Sequence, residues 1–220
     1  MMKNPSNSAT LYAARCIADY AVRTGILGSR IVCRPVYQHM GAVLADSVLQ
    51  AGLNYAKVVQ PRITSILKTY PHATTTKTLK RIIEQEGIPK FLQWKHREKI
   101  SRFDNLVAFM LEAKIDSTSE LSRTLQDKGF RMDIRQVRGV GPKTIDYMAC
   151  LVGVDCIVVD RHIRGFAELA ELKDDSYDYL CEVFSFAADL LSISRREFDA
   201  SIWRYQSKQS ARQLSLGFIQ

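Results

Sequence analysis

Cysteine is scarce in this sequence, and its placement argues against two of the residue's common structural uses. Five cysteines occur in 220 residues, at positions 16, 33, 150, 156 and 181, and no two of them form a CxxC pair. An odd number without short pairs is evidence against a disulfide framework and against a zinc knuckle. We therefore expect reduced thiols and a location in the cytoplasm or nucleoid, or in the nucleus of a eukaryote.

Long hydrophobic runs are also missing. No apolar stretch approaches the roughly 20 residues that a helix needs to cross a bilayer. Residues 1–9 are polar and contain none of the apolar core of a signal peptide. We therefore expect no membrane partner and no secretory signal.

Acidic residues are outnumbered by basic ones. The chain has 31 Lys and Arg against 23 Asp and Glu, a net charge of +8. This excess favours a polyanionic partner such as a nucleic acid, although many basic proteins bind none. The four histidines and the scattered carboxylates do not have the spacing of a metal site, so we predict no metal ion held by side chains.

Strand signals are rare, whereas helical periodicity is common. Only Cys156–Val159 resembles a strand, and it is too short to support a sheet. Apolar residues recur at the spacing of a helix face in several segments, and a long amphipathic helix is predicted over 96–114. We therefore predict an all-α fold with short connections. The other predicted helices cover residues 43–49, 58–67, 79–83 and 177–191.

Two further helix starts are indicated by capping boxes. Ser117 with Glu120, and Ser194 with Glu197, have the spacing at which a hydroxyl and a carboxylate satisfy each other's backbone amides. The second box opens the last predicted helix. Its aromatic residues are predicted to be core: Phe198, Trp203 and Tyr205.

The most informative segment is Ile134–Thr144, with the sequence IRQVRGVGPKT. We expect a short helix capped by Asp133, a tight turn at Gly139-Val140-Gly141, and a new helix with Pro142 at its first position. Amides at a helix N-terminus, aided by the helix dipole, can bind a phosphate without reading base sequence. A plain corner between two helices that binds nothing is the alternative, because a GxG pattern alone is a weak signal.

Three passages together resemble one protein family. Residues 137–144 (VRGVGPKT), 158–163 (VVDRHI) and 42–51, which ends in Gln50-Ala51, are similar in order and spacing to the helix-hairpin-helix DNA glycosylases, and most similar to their endonuclease III branch. The similarity covers residues 40–170. It is most specific between the glycine turn and Asp160.

The resemblance implies a fold of two helical lobes with DNA in the cleft between them. Residues 42–156 would form a helical-barrel lobe that contains the helix-hairpin-helix, and residues 1–41 plus 157–220 would form the second, discontinuous lobe. The expected partner is double-stranded DNA that contains a damaged base, bound by a monomer. The family also implies a monovalent cation held by hairpin carbonyls. Only Cys181 follows Asp160, so a four-cysteine iron–sulfur cluster cannot form.

The resemblance also assigns roles to individual residues. Lys143 would be an amine nucleophile that attacks C1′ of the sugar, which requires a site that lowers the usual lysine pKa of roughly 10.4. Asp160 would stabilise positive charge on the sugar or orient the nucleophile. Gln50 would enter the space left by the flipped base. The residues expected to contact the DNA backbone are Arg138, Gly139, Val140, Gly141, Thr144 and Arg161.

Simpler roles stay open for the same residues. Lys143 can be a surface lysine or a phosphate contact, Asp160 a helix N-cap, Gln50 a solvated glutamine and Arg161 a surface ion-pair residue. The sequence therefore leaves three functions. The first is a glycosylase with abasic-site lyase activity that acts on an oxidised pyrimidine or 8-oxoguanine. The second is a single-function glycosylase that removes a mismatched base, uracil or an alkylated base. The third is a non-catalytic DNA-binding module.

Overall fold

The computed structural model of the chain describes residues 7–28 and 34–216, and within these ranges it is all-helical and contains no β-strand. The extended segment before Asp160, predicted to resemble a strand, pairs with no other strand there. A 3₁₀ turn covers Ile26–Gly28, and a π-helical turn covers Tyr55–Val59. The α-helices are α1 Asn7–Arg23, α2 Met40–Leu49, α3 Gln60–Thr69, α4 Thr76–Glu86, α5 Ile88–Leu92, α6 Arg97–Glu112, α7 Thr118–Thr124, α8 Lys128–Ile134, α9 Pro142–Leu151, α10 Arg161–Leu169, α11 Tyr177–Leu190 and α12 Arg195–Leu216.

The chain folds into two compact units. The middle unit comprises residues 35–154, and the terminal unit comprises residues 1–34 and 155–220. In the middle unit, Phe91 lies between Tyr70 and Phe103, with ring centroids 4.9 and 5.6 Å apart. In the terminal unit, α1 packs against α11. Its apolar core includes Phe166, Phe184 and Phe198.

The local signals in the sequence explain several helix ends. The capping box at Ser117 and Glu120 is confirmed, with both reciprocal bonds present. The Ser194 hydroxyl likewise accepts the Glu197 amide, and the Glu197 carboxylate accepts the Ser194 amide. Helix α4 ends at Glu86 and is followed by the C-cap Gly87, whose φ of +84° a glycine adopts without strain.

Two expectations about individual residues were wrong. Asp133 does not cap the helix before the glycine turn, because that helix begins at Lys128 and Asp127 accepts the amide of Phe130 at 2.8 Å. Trp203 is not a core residue, since 38% of it is exposed. Phe198 of the same helix is fully buried. Among the described residues, no helix is long and apolar enough to span a bilayer.

A buried carboxylate organises polar packing in the middle unit. Asp46 of α2 is fully buried and accepts hydrogen bonds from the hydroxyls of Tyr147 at 2.9 Å and of Tyr37 and Tyr55 at 3.1 Å each. Burial and the adjacent carboxylate raise the pKa of Tyr37, and they raise that of Tyr55 to about 12. The phenols of Tyr37 and Tyr55 therefore stay protonated at neutral pH. Such bonds to a charged acceptor contribute about 1.5–3 kcal/mol each.

Candidate functional site

The glycine turn, defined as residues 135–141, connects α8 to α9. It is built from short-range backbone bonds: Gln136 donates to Asp133, Val137 to Ile134, and Val140 to Val137, at 2.9–3.2 Å. Val137 and Val140 are buried, whereas Arg138 and Gly139 are exposed. Buried valines thus anchor the turn to the middle unit while its glycine side faces solvent.

Helix α9 begins directly after this turn, with Gly141 as its N-cap and Pro142 as its first residue. Lys143 is the second helical residue and is half-buried, and Thr144 is buried. The amides that open a helix point outward along its axis, where the dipole favours an anion. Lys143 therefore lies one residue after Pro142, at the N-terminal end of the helix, where the Thr144 amide donates to the Gly141 carbonyl at 3.0 Å.

The side chain of Arg102 from α6 lies against Gly139 in the glycine turn. Gly139 has a φ of +82°, and a Cβ atom built on it would lie 2.2 Å from an Arg102 guanidinium nitrogen. The Arg102 side chain thus occupies space that only a glycine at position 139 leaves open. A second cationic residue, Arg138, is exposed next to Gly139.

We predict that Gly139→Ala destabilises the protein by about 1–2 kcal/mol, because its φ is unfavourable for a residue with a Cβ and because Arg102 must move. The matched control is Gly141→Ala. Gly141 has a φ of −104°, and its added Cβ would meet nothing within 4 Å. Urea unfolding of the three proteins would measure the difference. Equal stability of the two variants would contradict this account of Gly139.

Gln50 lies at the C-terminal end of α2. It is half-buried, and its side-chain nitrogen Nε2 is a buried donor without a hydrogen-bond partner in the part of the chain that the structure describes. An unpaired buried donor is costly, and each such atom calls for a specific explanation. Gln50 is therefore only partly exposed at this helix end, and its amide nitrogen is buried.

Lys99 of α6 binds the same end of α2. Its Nζ donates to the carbonyl oxygens of Val48, Leu49 and Ala51 at 2.9, 3.3 and 2.8 Å. Burial and, to a smaller extent, the charge of Arg102 lower the pKa of Lys99 to about 8. At pH 7 the amine is still mainly protonated and has three donors for three carbonyls.

Asp160 belongs to the terminal unit, where it is the N-cap of α10. Its Oδ1 accepts the amides of His162 at 2.7 Å and Ile163 at 3.2 Å, and the residue is half-buried. The capping role is therefore present in the structure. Both capping bonds use Oδ1, so capping and a contact through Oδ2 are chemically compatible.

A buried ion pair holds the segment that leads to Asp160. Asp199 of α12 accepts the amide of Val158 at 3.1 Å and pairs with Arg34, whose Nε lies 2.8 Å from Oδ2. Burial raises the pKa of the Asp199 carboxyl, Arg34 opposes that shift, and Asp160 adds to it. Asp199 thus ties α12 to the backbone two residues before Asp160.

Aromatic and basic groups lie next to Asp160 along α10. The His162 ring meets the Trp203 ring edge to face at a centroid distance of 5.9 Å, and Arg161 is exposed with its Nε 3.4 Å from the His162 ring. Trp203 is one of the exposed large hydrophobic residues of the terminal unit. This surface of the terminal unit therefore combines a carboxylate, a guanidinium and an exposed indole.

The predicted residues divide between the two units. Gln50 and the residues from Arg138 to Thr144 belong to the middle unit, whereas Asp160 and Arg161 belong to the terminal unit. Sequence reasoning missed four residues that hold these groups in place: Arg34, Lys99, Arg102 and Asp199. No sequence motif marks them, since each contacts a residue at least 37 positions away.

Comparison with known proteins yielded no relative: no protein-family model, no curated protein and no solved structure matches this chain. Within residues 7–28 and 34–216, no group of three or more His, Cys, Asp or Glu side chains is arranged to hold a metal ion.

Proposed function

We propose that this protein is a DNA glycosylase with abasic-site lyase activity, which binds duplex DNA containing a damaged base. Lys143 is the amine nucleophile and Asp160 its carboxylate partner. The observation that carries the proposal is the arrangement at the start of α9, where an exposed glycine turn leads through Pro142 to a half-buried lysine at a helix N-terminus. A phosphate at that helix end would hold the sugar of a neighbouring nucleotide close to an amine.

The chemistry requires the damaged base to leave the stack, at a cost of a few kcal/mol that damage reduces. Attack of the Lys143 amine on C1′ forms a carbon–nitrogen bond as the glycosidic bond breaks and the base departs with its electron pair. Ring opening then gives a protonated Schiff base. Loss of a C2′ proton expels the 3′ phosphate by β-elimination, which cleaves the strand. The amine must be unprotonated to attack, and it is restored when water hydrolyses the Schiff base.

Asp160 supports the first of these steps. Positive charge develops on the sugar as the base leaves, and a carboxylate nearby stabilises that charge most effectively where water is excluded. We assign Oδ2 to this role, because Oδ1 already caps α10. The helix that Asp160 caps holds the carboxylate in a defined orientation, and the Asp199 contact to Val158 restrains the preceding backbone.

The remaining contacts are assigned by charge and position. The residues that would contact the DNA backbone at the start of α9 are Gly139, Val140, Gly141 and Thr144. Arg138 would add positive charge beside them. Arg161 would meet phosphate from the terminal unit, and Gln50 would enter the gap left by the flipped base. The net charge of +8 supports a polyanionic partner.

Borohydride trapping is the test of this function. Purified protein is incubated with separate duplexes that contain an abasic site, 8-oxoguanine, thymine glycol or uracil, and the Schiff base is reduced to a stable adduct. We expect a covalent protein–DNA band on the abasic duplex and on at least one damaged duplex, which identifies the substrate. Release of a free base without any adduct would instead indicate a single-function glycosylase. Salt-sensitive binding without a product would leave a non-catalytic DNA-binding module.

A further inference from the structure

The backbone around Gln50, at the end of α2, is held by a side chain from another helix, Lys99 of α6. The last four carbonyls of an α-helix receive no hydrogen bond from an amide of the same helix. Basic side chains near the helix end can donate to them instead. Lys99 does so for Val48 and Leu49, and it also binds the carbonyl of Ala51, one residue beyond Gln50. The three bonds therefore bracket Gln50 on both sides along the backbone.

The same face of α6 also contacts the glycine turn. Lys99 and Arg102 are three residues apart and lie on one side of the helix. Lys99 binds the backbone around Gln50, while the guanidinium of Arg102 lies against Gly139. One helix thus contacts both the backbone on either side of Gln50 and the glycine turn that precedes Lys143.

We infer that Lys99 is a positioning residue for Gln50, which it orients for entry into DNA by holding the three carbonyls on either side of it. The inference rests on the proposed function, because it takes DNA to be the partner of Gln50. The buried Nε2 of Gln50 supports it, since this donor has no hydrogen-bond partner among the described residues and a ligand could supply one. Lys99 itself touches no reacting atom.

A lysine that merely stabilised the fold would behave differently. Its loss would weaken every activity of the protein to a similar degree, whatever residue stood at position 50. A lysine that acts through Gln50 affects only steps in which Gln50 takes part. Residues that act as one unit show strongly non-additive effects in a double-mutant cycle.

The experiment uses a duplex with a natural abasic site opposite 2-aminopurine, and the same abasic strand alone. The proteins are wild type, Lys99→Met, Gln50→Ala and the double variant. We expect each single variant to slow adduct formation on the duplex about tenfold, a loss typical of a misplaced group, and the double variant to be no slower than either. Adduct formation on the single strand should stay within about twofold of wild type, because no partner base has been orphaned there.

Two further variants separate charge from position. Lys99→Arg keeps a cation that can donate to carbonyls and should retain most of the duplex rate. Lys95→Met removes an exposed lysine from the loop before α6 and should change nothing, although it alters the net charge as Lys99→Met does. The rise in 2-aminopurine fluorescence on binding should be reduced in Lys99→Met and Gln50→Ala alike, since it reports the environment of the orphaned base directly.

Losses that multiply in the double variant would overturn the inference. An equal loss on single-stranded DNA, or an unchanged duplex rate in Lys99→Met or Gln50→Ala, would overturn it as well. Failure of the proposed function has a separate signature, because wild-type protein would then form no adduct on either DNA. The fluorescence signal requires binding but no chemistry, so it tests Lys99 and Gln50 even in that case.

Discussion

Replacing Lys143 with glutamine is expected to reduce the borohydride-trapped adduct on an abasic duplex by at least about a thousandfold. An amide nitrogen is not nucleophilic, because its lone pair is shared with the carbonyl, so no Schiff base can form. Glutamine is a good helix former and should leave the start of α9 intact. DNA affinity should therefore fall far less than adduct formation, by the loss of one cationic group at most.

The matched control for this variant is Lys128→Gln. Lys128 is an exposed lysine at the first position of α8 in the same unit, and its replacement changes the net charge by the same amount. Adduct yields on gels and affinities from fluorescence anisotropy would be measured for both variants. An adduct that persists in Lys143→Gln would assign the nucleophile to another amine, and an equal loss in Lys128→Gln would indicate a general charge effect.

Asp160→Asn should lower the rate of base release by about 10²- to 10³-fold, since it removes the negative charge while keeping a similar shape. Asparagine caps a helix as well as aspartate does, so the free energy of unfolding should change by less than about 0.5 kcal/mol. Single-turnover release of the damaged base, measured alongside chemical unfolding, separates these two quantities. The substrate is the duplex that gives the strongest adduct with the wild-type protein.

Asp160→Ala provides the comparison that divides capping from catalysis. It removes the charge and the capping oxygen together, and it should cost about 1 kcal/mol of stability in addition to the lost rate. If Asp160→Asn releases base at the wild-type rate while Asp160→Ala is destabilised, then Asp160 is a helix cap and nothing more. The carboxylate role would then have to belong to a different residue.

Local sequence determined much of the helical framework. The all-helical character, the box at Ser117 and Glu120, and Pro142 at the first position of α9 all follow from interactions between residues a few positions apart. Such interactions need no knowledge of the tertiary structure, because the side chain and the backbone group that it satisfies lie within one turn. The residues that carry the proposed chemistry, Lys143 and Asp160, were likewise marked by the motifs around them.

The two wrong predictions, for Asp133 and Trp203, arose where more than one residue of a suitable type was available for the same role. Asp127 and Asp133 are both acceptable N-caps by residue type, and the structure uses Asp127 because the helix that buries Phe130 and Ile134 begins there. Trp203 has a large apolar side chain that is typical of a core residue. However, Phe198 and Ile202 fill the buried side of α12, and the indole of Trp203 is partly exposed. Residue type alone does not decide which of several apolar side chains the core accepts.

The sequence by itself determined which residues could begin a helix, and it predicted which residues bind a phosphate or act as a nucleophile. Only the tertiary structure decided which distant residues hold them: Lys99 at the end of α2, Arg102 against Gly139, and Asp199 on the backbone before Asp160. These contacts join residues 37 to 51 positions apart, and each depends on how two elements of one unit pack. Helix spacing and capping patterns describe a single element, so they contain no information about which lysine or carboxylate a neighbouring element will bring to it.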